Sequence, residues 1–243
     1  MIRHLAVALF VLLAAGPAAA TQHLPRLVLV LGDTSYLSEE AVAEAGAALK
    51  TGLGEYTLEE YSLVVLANVP LAAVPREVLE GLPDFLGKGG SLLLTGGPAA
   101  FGSGGYEAIA PLLPFRLRGG ADWRVNPFKP VLLLQASHPI FAGVTFQTIG
   151  TLNDMNPHPG ASELARYEGG GVGPVGVGVG RGAIFPSPLI AELGVGSGSV
   201  LAVAFDLGAE IRGGWGSGPQ FARNLVRYLV ERSPLQPKPR KKP

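Results

Sequence analysis

Residues 89–106 read GGSLLLTGGPAAFGSGGY, a short apolar run at 91–95 that leads directly into a glycine-crowded loop. An apolar run of this length, bounded by glycine, is too short for a stable helix and predicts a strand buried on both faces. The loop that follows carries Gly96, Gly97, Gly102, Gly104 and Gly105 besides Pro98. Glycine supplies positive φ and lets backbone or a ligand come close. A strand ending in such a loop therefore predicts the working edge of an open α/β sheet.

The same rhythm extends outward from this stretch. Residues 27–31, LVLVL, predict a buried strand ending at Gly32 and Asp33. The following SYLSEEAVAEAGAALK, 35–50, predicts a helix with Ser38 as N-cap and Glu39 and Glu40 in its first turn. A short strand is expected at 56–58 and a firmer one at 63–67, which ends at Asn68. Residues 75–86 predict a helix opened by a proline and stopped by Gly87, with Pro83 expected to kink or split it. Strands separated by helices of this length pair in parallel through right-handed crossovers, which gives a doubly wound sheet.

Beyond Tyr106 the pattern changes. A short helix is expected at 107–113 and an irregular polar segment to Pro130, then strands at 131–135 and 163–168. The Gly/Val alternation at 169–182 predicts a loop with some β character. Residues 188–193 and 199–205 predict an antiparallel hairpin, and 219–232 a closing helix with Phe221, Leu225, Tyr228 and Leu229 at helical spacing. Residues 233–243 form a basic, proline-rich tail that is expected to be disordered and solvated.

With 47% hydrophobic and 16% charged residues in 243, the chain is globular and long enough for one substantial domain. Its 35 glycines and 21 prolines argue for shaped loops rather than a helix bundle. A formal net charge of zero offers no electrostatic footprint for nucleic acid. The absence of cysteine removes disulfides, thiolate metal sites and a cysteine nucleophile. Residues 1–20 read as a cleavable export signal: a basic Arg3, an apolar run at 5–15, and Ala18 and Ala20 in small-x-small spacing. The mature protein is expected to begin at Thr21, to act in the periplasm or outside the cell, and to keep no membrane span.

The segments YSLVVLANVP, GGSLLLTGGPAAFGSGGY, HPIFAGV and VLAVAFD, with a later Trp215 and a closing helix, together resemble the class I glutamine amidotransferase-like domains. They are most similar to the branch found in exported or membrane-associated bacterial proteins, often beside von Willebrand A modules. The resemblance covers most of the mature chain and implies a flavodoxin-like, mainly parallel sheet with an added antiparallel portion in the C-terminal half. Active members of that family place a cysteine on the turn after a central strand, and a histidine after the last strand with a carboxylate two residues later. Here that turn reads Gly96, Gly97, Pro98, and the last strand ends in Phe205, Asp206, Leu207. Nucleophile and base are both absent, so the glutaminase chemistry that the resemblance implies does not carry over.

The expected role is therefore that of an exported, catalytically inactive binding or scaffold module. Its ligand or partner site is placed at Asp33, Asn68, Gly96, Gly97, Ser103, Gly104, Gly105 and Asp206, where outward N–H groups suit an anion. The partner is an envelope protein or a small anionic ligand, with no cofactor and no metal. The alternative is an envelope hydrolase acting on a carbohydrate or peptide through Asp33, Ser103 and Asp206. Capping and turn formation account equally well for each aspartate, and packing of Phe101 and Tyr106 for the glycines. Asn153, Asp154, Asn156 and His158 offer mixed oxygen and nitrogen donors, with a polar turn as the simpler account. His138 reads as a hydrogen-bonding loop residue, and Trp215 either as a surface aromatic or as packed beneath the closing helix.

Overall fold

Apolar runs bounded by glycine do form the centre of the molecule. The structure, a computed structural model, describes residues 24–167 and 187–238. Strands β1 (Arg26–Gly32), β2 (Ala47–Lys50), β3 (Tyr61–Ala67) and β4 (Ser91–Thr95) are parallel and lie in the order β2-β1-β3-β4. Every residue of β3 and β4 is buried, as in a sheet covered on both faces. Strands β5 (Phe115–Leu117), β6 (Trp123–Lys129), β7 (Val131–Leu133), β8 (Ile149–Asn153), β9 (Met155–Pro157) and β10 (Ser162–Tyr167) precede β11 (Ser187–Val195) and β12 (Gly198–Val203). β12 continues the parallel series beside β4, and β11, β10 and β7 extend the sheet antiparallel from it. The five parallel strands thus follow the flavodoxin order, with β12 in the fifth place and an antiparallel wing attached to it. The pairs β5–β9 and β6–β8 form two small ribbons.

Helix α1 (Glu39–Ala43) follows β1, and α2 (Arg76–Gly87) follows β3. The chain steps left from β1 to β2 and right from β3 to β4, so right-handed crossovers put α1 and α2 on opposite faces. After β12 come α3 (Leu207–Arg212) and α4 (Gly218–Arg232); α4 shares the α1 face and packs on β3, β4 and β12. Its Phe221 joins Phe141, Phe146 and Trp215 in an aromatic cluster that pins residues 139–146 against the closing helix. Trp215 is buried there, and its indole N–H donates to Thr145 O at 2.9 Å.

Several local expectations are corrected. The helix expected over 35–50 stops at Ala43, because Gly46 turns the chain at φ 71° and Ala47–Lys50 pairs with β1 as an edge strand. Residues 58–60 form a 3-10 turn rather than part of a strand, closed by a Thr57–Glu60 capping box. Pro83 does not split α2, which runs unbroken from Arg76 to Gly87 with the proline on its exposed side, where water can serve the carbonyl it leaves unpaired. The polar segment before Pro130 contains β5 and β6, whose partners lie in 149–157 and are invisible to a local pattern. The tail is not simply solvated through Lys238. Ser233 is buried, Leu235 O accepts from Ser62 Oγ, and Lys238 N–H donates to the Glu60 carboxylate at 3.3 Å. The export signal, the Gly/Val segment and residues 239–243 lie outside the described residues. Among the described residues no helix is long and apolar enough to cross a membrane.

Candidate functional site

The carboxyl ends of the parallel strands carry Asp33 after β1, Asn68 after β3, Gly96 after β4 and, past β12, Asp206. The order reverses between β1 and β3, and such a switch point is where open α/β sheets form their crevice. Asn68 adopts φ 43°, a left-handed conformation that a short amide side chain tolerates. From there its Nδ2 donates to Asp206 Oδ2 at 2.9 Å, and its Oδ1 accepts from Ala99 N–H at 3.0 Å. Asp206 Oδ1 caps α3 by accepting from Ala209 N–H at 2.8 Å.

Asp33 lies against the same helix. A Cβ on Gly208 would stand 2.3 Å from Asp33 Oδ2, so glycine is what allows the carboxylate this close. Arg212 Nη1 donates to that oxygen at 2.8 Å and also to Ser35 Oγ, while Ser35 N–H donates to Oδ1 at 2.9 Å. The two aspartates feel opposite environments. Burial raises Asp33, but the hydrogen bonds from Arg212 and Ser35 outweigh it and hold the carboxyl below its ordinary range. For Asp206 burial dominates and the Asp33 charge adds to it, so its carboxyl titrates higher than usual despite the Ala209 N–H. Tyr36 is buried beside them with its hydroxyl 3.3 Å from Thr95 Oγ1, and burial drives its ionisation up.

The glycine loop is sealed by side chains that sequence reasoning left aside. Asn153, wholly buried at the end of β8, accepts from Gly97 N–H at 2.9 Å and donates to Gly97 O at 3.2 Å. Its amide also donates to Asp122 Oδ1 at 3.2 Å. Asp122 accepts from Gly102 N–H and Ser103 N–H, both at 3.0 Å, and from Ser103 Oγ at 2.7 Å. The remaining loop donors turn inward: Gly96 N–H to Val203 O, Gly104 N–H to Ala100 O and Gly105 N–H to Gly102 O. Phe101 and Tyr106 pack ring to ring at 5.6 Å, both buried, with Tyr106 Oη donating to Val69 O.

The predicted residues therefore separate into two groups. Asp33, Asn68 and Asp206 converge at the switch point. Ser103 shares no hydrogen bond with Asp33 or Asp206; its hydroxyl is committed to Asp122. Gly96, Gly97, Gly104 and Gly105 shape the loop, but their N–H groups are engaged within the protein rather than pointing outward. Asn153 appeared in the sequence as a possible metal donor or a component of a polar turn rather than as a partner of the glycine loop, and Asp122 not at all, because each reaches its partners across the fold. His158 proves to be a turn residue, its Nδ1 accepting from Gly160 N–H at 3.1 Å. The groove formed by Leu24, Pro25, Leu27, Tyr56, Pro237 and Lys238 includes none of the predicted residues.

A side chain has no room at the turn after β4. A Cβ on Gly97, whose φ is 143°, would lie 2.1 Å from Asn68 Cγ. On Gly96 it would lie 2.6 Å from both Asn153 Oδ1 and the Ala204 carbonyl carbon. The position where the resemblance places a nucleophile is thus filled by two asparagines.

No protein-family model matches the sequence, and no curated protein does. Solved structures do resemble the fold. A cytoplasmic protein of Salmonella typhimurium aligns with a TM-score of 0.62 at 15% identity, over 84% of this chain and 98% of its own. A protein of Bacteroides uniformis described as ThuA-like aligns with a TM-score of 0.52 at 13% identity, over 91% and 98%. An exo-β-1,4-mannosidase from an Opitutaceae bacterium matches 88% of this chain but 37% of its own length, with a TM-score of 0.51 at 16% identity. These likenesses are of fold alone: a flavodoxin-like α/β domain.

Proposed function

We propose that this chain is an exported, catalytically inactive member of the glutamine amidotransferase-like fold that serves as a binding or scaffold module in the cell envelope. The observation that carries the inactive assignment is the occlusion at Gly96 and Gly97. A cysteine there would need the space that Asn68 and Asn153 hold. Nucleophilic attack requires an exposed, activated group beside a base, and no histidine follows β12 to serve as one. Export rests on the leader-like residues 1–20. Binding falls to the rim at Asp33, Asn68, Asp206 and Arg212, where polar groups gather at the switch point.

One observation favours a second reading. Asp33 and Asp206 are adjacent carboxyls pushed in opposite directions, the arrangement that separates an acid from a base. A hydrolase built on that pair would act without Ser103, on a carbohydrate or peptide.

The test is to recover the protein from fractionated cells, sequence its N-terminus and assay it on glutamine and on glycoside and peptide substrates. The expected result is an envelope protein beginning at Thr21 with no turnover above buffer. Ammonia release that survives repurification overturns the inactive assignment. Glycoside or peptide cleavage abolished by Asp206→Asn establishes the hydrolase instead, and a Met1 start on the envelope protein overturns the signal.

A further inference from the structure

The amino ends of the parallel strands, opposite the rim, carry a face of a different kind. Leu24 and Pro25 lead into β1, Tyr56 precedes β3, and with Leu27, Pro237 and Lys238 they line a groove that is apolar or aromatic apart from the lysine. Leu24 stands 43% exposed there. The bonds from Ser62 Oγ to Leu235 O and from Lys238 N–H to Glu60 fix the tail to this face, which holds Lys238 at the groove. Lys50 Nζ lies 5.9 Å over the Tyr56 ring and brings a second cation. Of the three glutamates in 55–60, two are matched within the fold: Glu59 pairs with Lys88, and Glu60 accepts from Thr57 and from Lys238 N–H.

The sequence continues with Arg240, Lys241 and Lys242, which covalent reach keeps within about 14 Å of Lys238. A chain of zero net charge thus gathers four cations at 238–242 beside an apolar groove. Asp33 and Asp206 lie at the other end of the sheet, roughly 20 Å away along the seven residues of β1. An apolar face ringed by cations fits the boundary of an anionic bilayer, where apolar side chains enter the acyl edge and basic ones meet the headgroups. An acidic protein or polymer would use the charges but leave the groove without a counterpart.

We propose that the groove at the amino end of β1, with the basic residues 238–242, docks on an anionic phospholipid surface. Docking through this face turns the rim at Asp33 and Asp206 away from the membrane. The inference requires neither export nor inactivity, so purified protein and synthetic vesicles test it apart from both.

Vesicle sedimentation is done with the chain from Thr21 onward, which keeps every described residue and removes the apolar run at 5–15. It is expected to sediment with mixed phosphatidylcholine and phosphatidylglycerol vesicles in about 50 mM salt, but neither with phosphatidylcholine alone nor in about 500 mM salt. Replacing Arg240, Lys241 and Lys242 together by glutamine should lower the partition coefficient by about a hundredfold. Leu24→Ser should lower it by about threefold and leave the salt dependence unchanged. Equal binding to neutral and anionic vesicles, or an undiminished triple variant, overturns the proposal. Wild-type binding by Leu24→Ser also overturns it, because the charges alone would then attract any acidic partner and the groove would not touch lipid.

Discussion

Two polar regions meet at the carboxyl edge of this sheet, and they are built in opposite ways. Around the glycine loop, Asp122 and Asn153 are buried and every donor described there ends on a protein acceptor. Around α3, Arg212 keeps 54% of its side chain exposed and Asp33 keeps 23%, so their ion pair stands at the rim. The first region is a closed network in which each bond protects another from being an unpaired buried group. The second is a surface arrangement that solvent can replace. A glycine-rich loop is therefore not by itself a sign of an open site. What matters is whether its N–H groups still face outward.

Substitutions should separate the two regions by the size of their effects, and the largest belongs to Gly102. An alanine methyl 1.9 Å from a backbone oxygen cannot be accommodated by rotating a side chain, so the backbone of 119–122 must move. Gly102→Ala is expected to destabilise by at least about 3 kcal/mol in denaturant unfolding. A loss under about 1 kcal/mol would mean that the loop gives way easily and is not the closed structure described.

The next step down compares one residue from each region. Asn153→Ala strips partners from Gly97 N–H, Gly97 O and Asp122 in a buried setting, and should cost about 2 to 3 kcal/mol. Arg212→Ala removes an exposed pair and should cost less than about 1 kcal/mol. It should also let the Asp33 carboxyl rise, since the Arg212 hydrogen bond is the largest influence holding it down. Carboxyl NMR titration of Asp33 reads that directly. Equal stability losses from the two variants would erase the distinction between sealed loop and open rim.

The sequence carried the parallel half of this fold and much less of the site, for reasons of range. Residues 27–31, 63–67 and 91–95 are apolar on both faces, and that pattern is local, so the strands, the doubly wound order and the β11–β12 hairpin were legible. β2 was not: AALK follows a well-capped helix start and has good helix propensity, and only pairing with β1 makes it a strand. β5 pairs with a segment about forty residues away and β6 with one about twenty to thirty away, beyond any window of periodicity. Asp33, Asn68 and Asp206 were legible as a group because each lies at or just past the end of a strand of the parallel series. Asp122 gave no such signal, lying in a polar stretch far in sequence from the loop it closes. One hint was present in the loop itself: five N–H donors between Gly96 and Gly105 belong to glycine, and donors so placed in a buried loop require acceptors from somewhere.

The smallest effect expected lies away from this edge, at His138, and it depends on pH. The ring sits against Tyr228 at 4.7 Å, with Nε2 3.8 Å from Glu192 and with Arg232 on the far side of that carboxylate. Nδ1 accepts from Ile140 N–H at 3.5 Å, so the neutral ring carries its proton on Nε2, toward Glu192. Protonating Nδ1 would end that contact. Burial lowers the His138 pKa; Glu192 pulls it back up and Arg232 adds to the lowering, leaving it below the ordinary value of 6.5. Because the folded value is depressed, the unfolded chain takes up a proton first as the pH falls. Stability is then fully present above the unfolded pKa and is lost progressively below it. Asp206 and Glu210 act in the opposite sense, but in the more acidic range of carboxyls, since their folded values are raised and acid favours the folded form. Wild-type Tm should therefore fall between about pH 7.5 and about pH 5.5, and His138→Gln should fall less steeply across the same interval. Parallel slopes in the two proteins would show that His138 titrates alike in folded and unfolded chains, and that its contact with Glu192 offsets its burial in full.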